Sequence, residues 1–176
     1  DVFAGDFVEA HEKGVETEES IVTRETDHKA DIVFTTNSGA PLDLNLYQTV
    51  KGMYHASLVT REGGVIITAA ECGEGLGPDE FVDLHKQSGS PEEVLETIRR
   101  EEPIGVQWEN QILAQLQERF DIYLKSELED EELREMMIEP VSSLDEGLER
   151  AFDAVGGDAE VITMAEGPML IPESRI

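Results

Sequence analysis

The sequence predicts an α/β fold built on an open, mostly parallel, twisted sheet with helices on both faces. Three observations point there. Apolar, β-branched runs recur along the chain: "DIVFTTN" at 31–37, "GGVIITAAE" at 63–71, "DIYLKSE" at 121–127 and "AEVITMAEG" at 159–167. The second run is almost continuously apolar, which marks a strand buried on both faces, as parallel strands are. Helical patterns of period near 3.6 separate the runs, and the connections are short. Strands alternating with helices in this way fold as a parallel sheet joined by crossover helices, here a Rossmann-like three-layer sandwich.

The elements follow in order. After Phe3-Ala4-Gly5-Asp6 a helix is expected over roughly Val8 to Glu18, with acids on its outer side. "ESIVTRETDHKA" is polar and holds at most a short edge strand and a turn. The strand at 31–37 leads to a helix from Asn45 to Thr60, and the strand at 63–71 leads through the "CGEGLG" loop to a helix beginning at Pro78 and ending near Gln87. Ser90 is a good cap for a helix running to Arg100. A long amphipathic helix over 106–120 precedes the strand at 121–127. "DEELREMMI" is helical, "EPVSS" a short strand or extended link, and 143–157 a helix stopped by Gly156-Gly157. The strand at 159–167 comes last, and the tail carries two prolines. With no internal repeat, low-complexity tract or interior linker, residues 1–176 read as one domain.

Composition narrows the partners. Forty acids against 13 bases give a formal charge of −27, which leaves nucleic acid or an anionic membrane little electrostatic support. A solvated acidic shell suited to high salt, acids on exposed helix faces, or a basic partner domain each explain the excess. Glutamate (28) outnumbers aspartate (12), which weakens the first. One cysteine excludes a disulfide within the chain and favours a reducing cytoplasm. No apolar run approaches the ~20 residues of a membrane helix. The opening "DVFAGDF" has neither a basic leader nor a cleavage site and reads as a start inside a folded unit.

Ligands of open α/β sheets gather beyond the carboxyl ends of the strands. The stretch "NSGAPLDLNLYQTVKGM" at 37–53 qualifies, because Tyr47, Gln48 and Lys51 fall on the first turns of its helix. Tyr47 and Lys51 share a face at i and i+4, with Gln48 on the flank. Free N–H groups at the helix start would favour an anion such as a carboxylate. The bland alternatives are a capping box between Asn45 and Gln48, a core tyrosine and a surface lysine. "CGEGLGPDE" lacks the dinucleotide spacing, and Glu74 would repel a pyrophosphate, so it reads as a tight turn. Cys72 reads as a buried, inert thiol. His11, His28, His55 and His85 show no paired metal spacing, so no metal site is expected in this chain. Trp108 is either core packing or the wall of a cleft.

Beyond these readings, "VFAGD" before a helix with "EAH", "ADIVFTTNSGAPLDLNLYQTVKGM", "GGVIITAAECGEGLG" and "QWENQILAQL" resemble, in order, the C-terminal domain of the nickel-pincer lactate racemase family. The match runs from residue 2 to about 125 and more loosely beyond, and Pro41–Gly52 (PLDxNLYQxxKG) is its most specific part. The resemblance implies a two-domain enzyme that racemises or epimerises 2-hydroxy acids by hydride transfer to and from a nickel-pincer nucleotide cofactor. The cofactor's lysine tether, its histidine ligand and the two acid–base histidines belong to an N-terminal domain of the same protein that this sequence does not carry. What it implies here is the substrate side of the cleft. Lys51 and Gln48 would take the catalytic roles of charge stabilisation and orientation, with Tyr47 and Trp108 beside substrate and cofactor. Where many members have Gly-Gly and a bulky residue, this chain has Ser38-Gly39-Ala40, so a smaller Ala40 would open the pocket. Two other classes compete: a non-catalytic module binding small anions at the 45–51 helix start, and a structural acidic domain.

Overall fold

The computed structural model describes residues 1–174. The elements in chain order are α1 (Phe7–Val22), β1 (Thr23–Thr26), β2 (Ala30–Thr36), α2 (Leu46–Ser57), β3 (Thr60–Ala69), α3 (Asp79–Gln87), α4 (Pro91–Arg100) and α5 (Gln107–Gln117). There follow β4 (Asp121–Lys125), α6 (Asp130–Glu135), β5 (Glu139–Pro140), α7 (Leu144–Val155), β6 (Val161–Met164), a 3-10 turn at Gly167–Met169 and β7 (Ile171–Ser174). Five strands form one sheet in the order β5-β4-β3-β2-β6, and each pairing is parallel.

Strand alternation sends two sets of side chains to opposite faces. Val33, Ile66 and Ile122 lie in register across β2, β3 and β4 and join a core with Leu46, Val50 and Met53 of α2, Leu113 of α5 and Leu133 of α6. The neighbouring row, Phe34, Ile67 and Tyr123, faces the other way and packs with Leu148, Ala151 and Phe152 of α7. Helices therefore cover both faces of a parallel sheet, as the sequence predicts. Leu46, Val50 and Met53 are fully buried at i, i+4 and i+7, and each such side chain is worth roughly 1.5–3 kcal/mol of burial. That stripe fixes which side of α2 is left to face outward.

Several boundaries differ from expectation. α1 runs on through "ESIV" to Val22, because nothing in that stretch breaks a helix and Asp6 caps its start through Val8 N at 3.0 Å. Pro78 is the N-cap of α3 rather than its first residue. Residues 171–174, beyond the last expected strand, form β7. β7 pairs in parallel with β1, Thr23 against Ile171 through Thr26 against Ser174, as a separate two-stranded sheet.

Candidate functional site

A helix that links two parallel strands runs antiparallel to both, so the N-termini of α2 and α5 come to the carboxyl rim of the sheet. The loop from β2 into α2 is held by Asn37, whose side chain is buried. Its amide nitrogen donates to the carbonyls of Leu42 and, at 3.1 Å, Gln48, and its oxygen accepts from Gly52 N at 3.1 Å. Three backbone groups, one in the loop and two on α2, are thereby tied to the end of β2. Gly52 is required there, since a Cβ would stand 2.7 Å from the Asn37 Oδ1.

The start of α2 overturns one expectation. Its first four N–H groups are all engaged: Leu46 with Gly75 O at 3.2 Å, Tyr47 with Leu76 O at 3.0 Å, Gln48 with Asn45 Oδ1 at 3.0 Å, and Thr49 with Asn45 O at 3.1 Å. No donor is left for an anion at that helix end, and an anion module built on it loses its basis. The "CGEGLG" loop supplies two of the partners. It is a tight turn, as expected, and also the cap of α2. Gly77 has φ +117°, and a Cβ there would stand 2.6 Å from the Tyr47 Cβ, so the loop closes onto that tyrosine only through glycine.

Any charge for a ligand must then come from side chains. Lys51 is exposed, and its ammonium donates to the Gln48 side-chain oxygen one turn back. The capping-box alternative is thus half right. Asn45 caps the helix, but the Gln48 amide orients Lys51 instead of returning to the cap. Tyr47 stands edge-on to Phe81 (ring centroids 5.4 Å) and to Trp108 (5.9 Å). Its phenol is pushed above the ordinary range by burial, then by the Glu109 charge, with a hydrogen bond from Trp108 opposing. Trp108 is 48% exposed, so core packing is not its role. Lys51 and Trp108 line one hollow of about 130 Å³, together with Tyr54, His55, Glu109 and Ile112. Tyr47 and Gln48 do not line it. They brace Trp108 and Lys51 from behind.

Glu109 is a site residue that the sequence reading missed. It is wholly buried, and neither carboxyl oxygen has a hydrogen-bond partner. Burial pushes its pKa up to about 7, with the Lys51 ammonium pulling the other way. A signal was present, because Glu109 stands four and seven residues before the buried Leu113 and Leu116, on the inner stripe of α5. The next residue, Asn110, donates to Phe81 O at 2.8 Å and pairs with His85 Nδ1 at 2.8 Å, fastening α3 to α5. Burial lowers the His85 pKa to about 4.

A larger hollow of about 490 Å³ lies over the ends of β2, β3 and β4. Asp43, Glu71 and Glu127 outnumber Lys125 on its walls, which disfavours an anion. Ala40 is exposed and lies outside the Lys51 hollow, so its size says nothing of the space there. Cys72 is buried, bonded with the Thr49 hydroxyl at 3.5 Å, and its thiol is raised to about 11 chiefly by burial, which makes it inert. Among the described residues no group of three or more His, Cys, Asp or Glu side chains is placed to hold a metal ion, and no helix is long and apolar enough to cross a membrane.

Fold and hollow together define a parallel α/β domain that presents a lysine and an open indole at the rim of its sheet. The chain belongs to the lactate racemase C-terminal domain family, whose sequence model matches residues 25–171. It is 37% identical over 177 residues to a lactate racemase of Thermoanaerobacterium thermosaccharolyticum, an alignment covering 98% of this chain and 41% of that one. It is 34% identical over 169 residues to a lactate racemase of Lactiplantibacillus plantarum, covering 94% and 40%. The chain thus spans about two fifths of the length of the curated relatives it matches. In structure it is similar to the lactate racemase apoprotein from T. thermosaccharolyticum, with a TM-score of 0.89 and 36% identity over 93% of this chain and 40% of that one. A Thermotoga maritima protein shares the fold at a TM-score of 0.62 and 13% identity.

Proposed function

We propose that this chain is one folded domain forming the substrate side of a racemase or epimerase, an isomerase acting on lactate or a related 2-hydroxy acid. The observation that carries the reading is the hollow shared by Lys51 and Trp108, with Gln48 already aligned on the lysine. The partner is the N-terminal portion of a full-length parent, and the cleft forms between the two.

The residues divide the work by chemistry. The Lys51 ammonium pairs with the substrate carboxylate and offsets negative charge developing on oxygen, a preorganised interaction that strengthens as water leaves. Gln48 holds that ammonium in place from behind, through its side-chain oxygen. Tyr47 braces the indole. Trp108 covers the hollow and excludes water, which restricts the bound acid to a few orientations. The hydroxyl proton and the α-carbon are handled outside this chain.

The family resemblance implies a nickel-pincer nucleotide, and the residues present fit its aromatic, anionic side: an outward-facing indole and a nearby ammonium. That group, when bound, supplies the acceptor and donor of the α-hydrogen as hydride. Its metal ligand and tether belong to the N-terminal portion. The single cysteine, buried and inert at Cys72, supports a reducing, cytoplasmic setting.

The test is turnover. The full-length parent, loaded with cofactor, is expected to bring D-lactate and L-lactate to equal amounts from either side. Failure on lactate and on larger 2-hydroxy acids alike would remove the proposal.

A further inference from the structure

We infer that Glu109 is a positioning residue that sets the charge of the Lys51 hollow and so governs its affinity for a small carboxylate. This rests on the reading of that hollow as the substrate wall. The carboxyl lies among the residues lining the hollow, is closed off from solvent, and has no hydrogen-bond partner for either oxygen. A leucine would pack the same register without the cost of an unpartnered buried acid. Meanwhile Lys51 gives its hydrogen bond to the neutral amide of Gln48 and not to the carboxyl.

The surroundings limit which charges matter. From α2 come Lys51, Tyr47, Tyr54 and His55. From α3 comes His85, bonded to the adjacent Asn110. α4 meets α5 through the apolar Val94, Leu95 and Ala114. His55 Nδ1 is engaged with Gly167 O at 2.9 Å. Lys51 is the cation that Glu109 feels most, opposing the effect of burial. With its proton on, Glu109 leaves the lysine uncompensated and the hollow attracts an anion. With its proton off, the two charges cancel and the attraction fades. The proton held near neutrality is therefore a setting on ligand affinity, and the ligand in turn favours the protonated form.

Trp108 is the only tryptophan of the chain and the neighbour of Glu109, so its fluorescence reports on the carboxyl. In the 176-residue chain without ligand, a titration from about pH 5 to 9 is expected to show an inflection near 7. It should vanish in Glu109→Gln, move to higher pH in Lys51→Met, and persist in His55→Gln. An inflection that survives Glu109→Gln and disappears in His55→Gln belongs to the histidine and overturns the inference. In the full-length parent, KM for lactate should rise with pH on the order of tenfold across the same range, and stay level in Glu109→Gln, as expected for a charge at moderate distance in an effective dielectric of about 20. Equal pH slopes in the two proteins would overturn the ligand half of the inference. A correct fluorescence pattern in a parent that turns over no 2-hydroxy acid would instead sink the racemase reading and leave the Glu109–Lys51 coupling standing.

Discussion

Gly77 passes so close to Tyr47 that a Cβ built on the glycine would stand 2.6 Å from the tyrosine's own Cβ. The same loop gives the carbonyls of Gly75 and Leu76 to the first two N–H groups of α2. The turn between β3 and α3 is thus the clamp that sets where Tyr47 points, and Tyr47 in turn backs Trp108. Gly77→Ala is expected to destabilise the chain by about 2 kcal/mol or more, combining backbone strain at positive φ with overpacking. Thermal unfolding measures this, and near-UV circular dichroism of the single tryptophan should change with it. An unchanged melting temperature would show that the loop yields freely.

Asn37 binds three backbone groups at once. Asn37→Ala leaves the carbonyls of Leu42 and Gln48 and the N–H of Gly52 without that partner in a buried place. Loss of about 3 kcal/mol or more is expected, at roughly 1–3 kcal/mol for each of the three groups. Urea unfolding checks it. A loss under about 0.5 kcal/mol would mean that solvent enters the loop and takes over these bonds.

Two buried titratable groups on α3 and α5 give opposite pH slopes. The folded pKa of Glu109 is raised from 4.5 to about 7, so its contribution is fully present below 4.5 and is lost as pH rises toward 7. That of His85 is lowered from 6.5 to about 4, so its contribution is present above 6.5 and is lost as pH falls toward 4. Between these limits the two oppose each other in the wild type. Relative to wild type, Glu109→Gln should gain stability as pH rises from 4.5 to 7, by about 3 kcal/mol at ~1.4 kcal/mol per unit. His85→Gln should gain relative stability as pH falls from 6.5 to 4. Denaturant titrations at a series of pH values test both, and parallel curves for variant and wild type would refute the assigned shifts.

The surface charge makes a further expectation. With 40 acids against 13 bases, self-repulsion opposes the compact state, and salt screens it. The melting temperature should climb by several degrees as sodium chloride is raised from about 0.01 to 0.5 M. A flat response would show that the acids are spaced widely enough on the outer helix faces to ignore one another.

The strands were the readable part of this sequence. The middles of β2, β3 and β4 are buried on both faces, so "IVFTT", "VIIT" and "IYL" had to be apolar or β-branched. Asn45 and Ser90 announced helix starts because a cap acts through residues two or three away. Relations between distant segments left no such mark. The pairing of β1 with β7 joins two short polar stretches far apart in the chain. The use of "CGEGLG" carbonyls by α2 cancels the anion-binding helix end that local sequence suggests. Spacing placed Tyr47, Gln48 and Lys51 together, but only packing shows that Lys51 and Trp108 line the hollow while the other two support them. Glu109 was hidden because a charged residue on an apolar stripe reads first as an exposed one.

The role of Lys51 in holding a substrate carboxylate is open to a single comparison. In the full-length parent, kcat/KM for lactate is measured for Lys51→Met and Lys51→Arg beside the wild type. Loss of one preorganised charge predicts a drop of about 10²-fold in the methionine variant and partial recovery in the arginine variant. Wild-type kcat/KM in Lys51→Met would contradict the assignment of this hollow to the substrate.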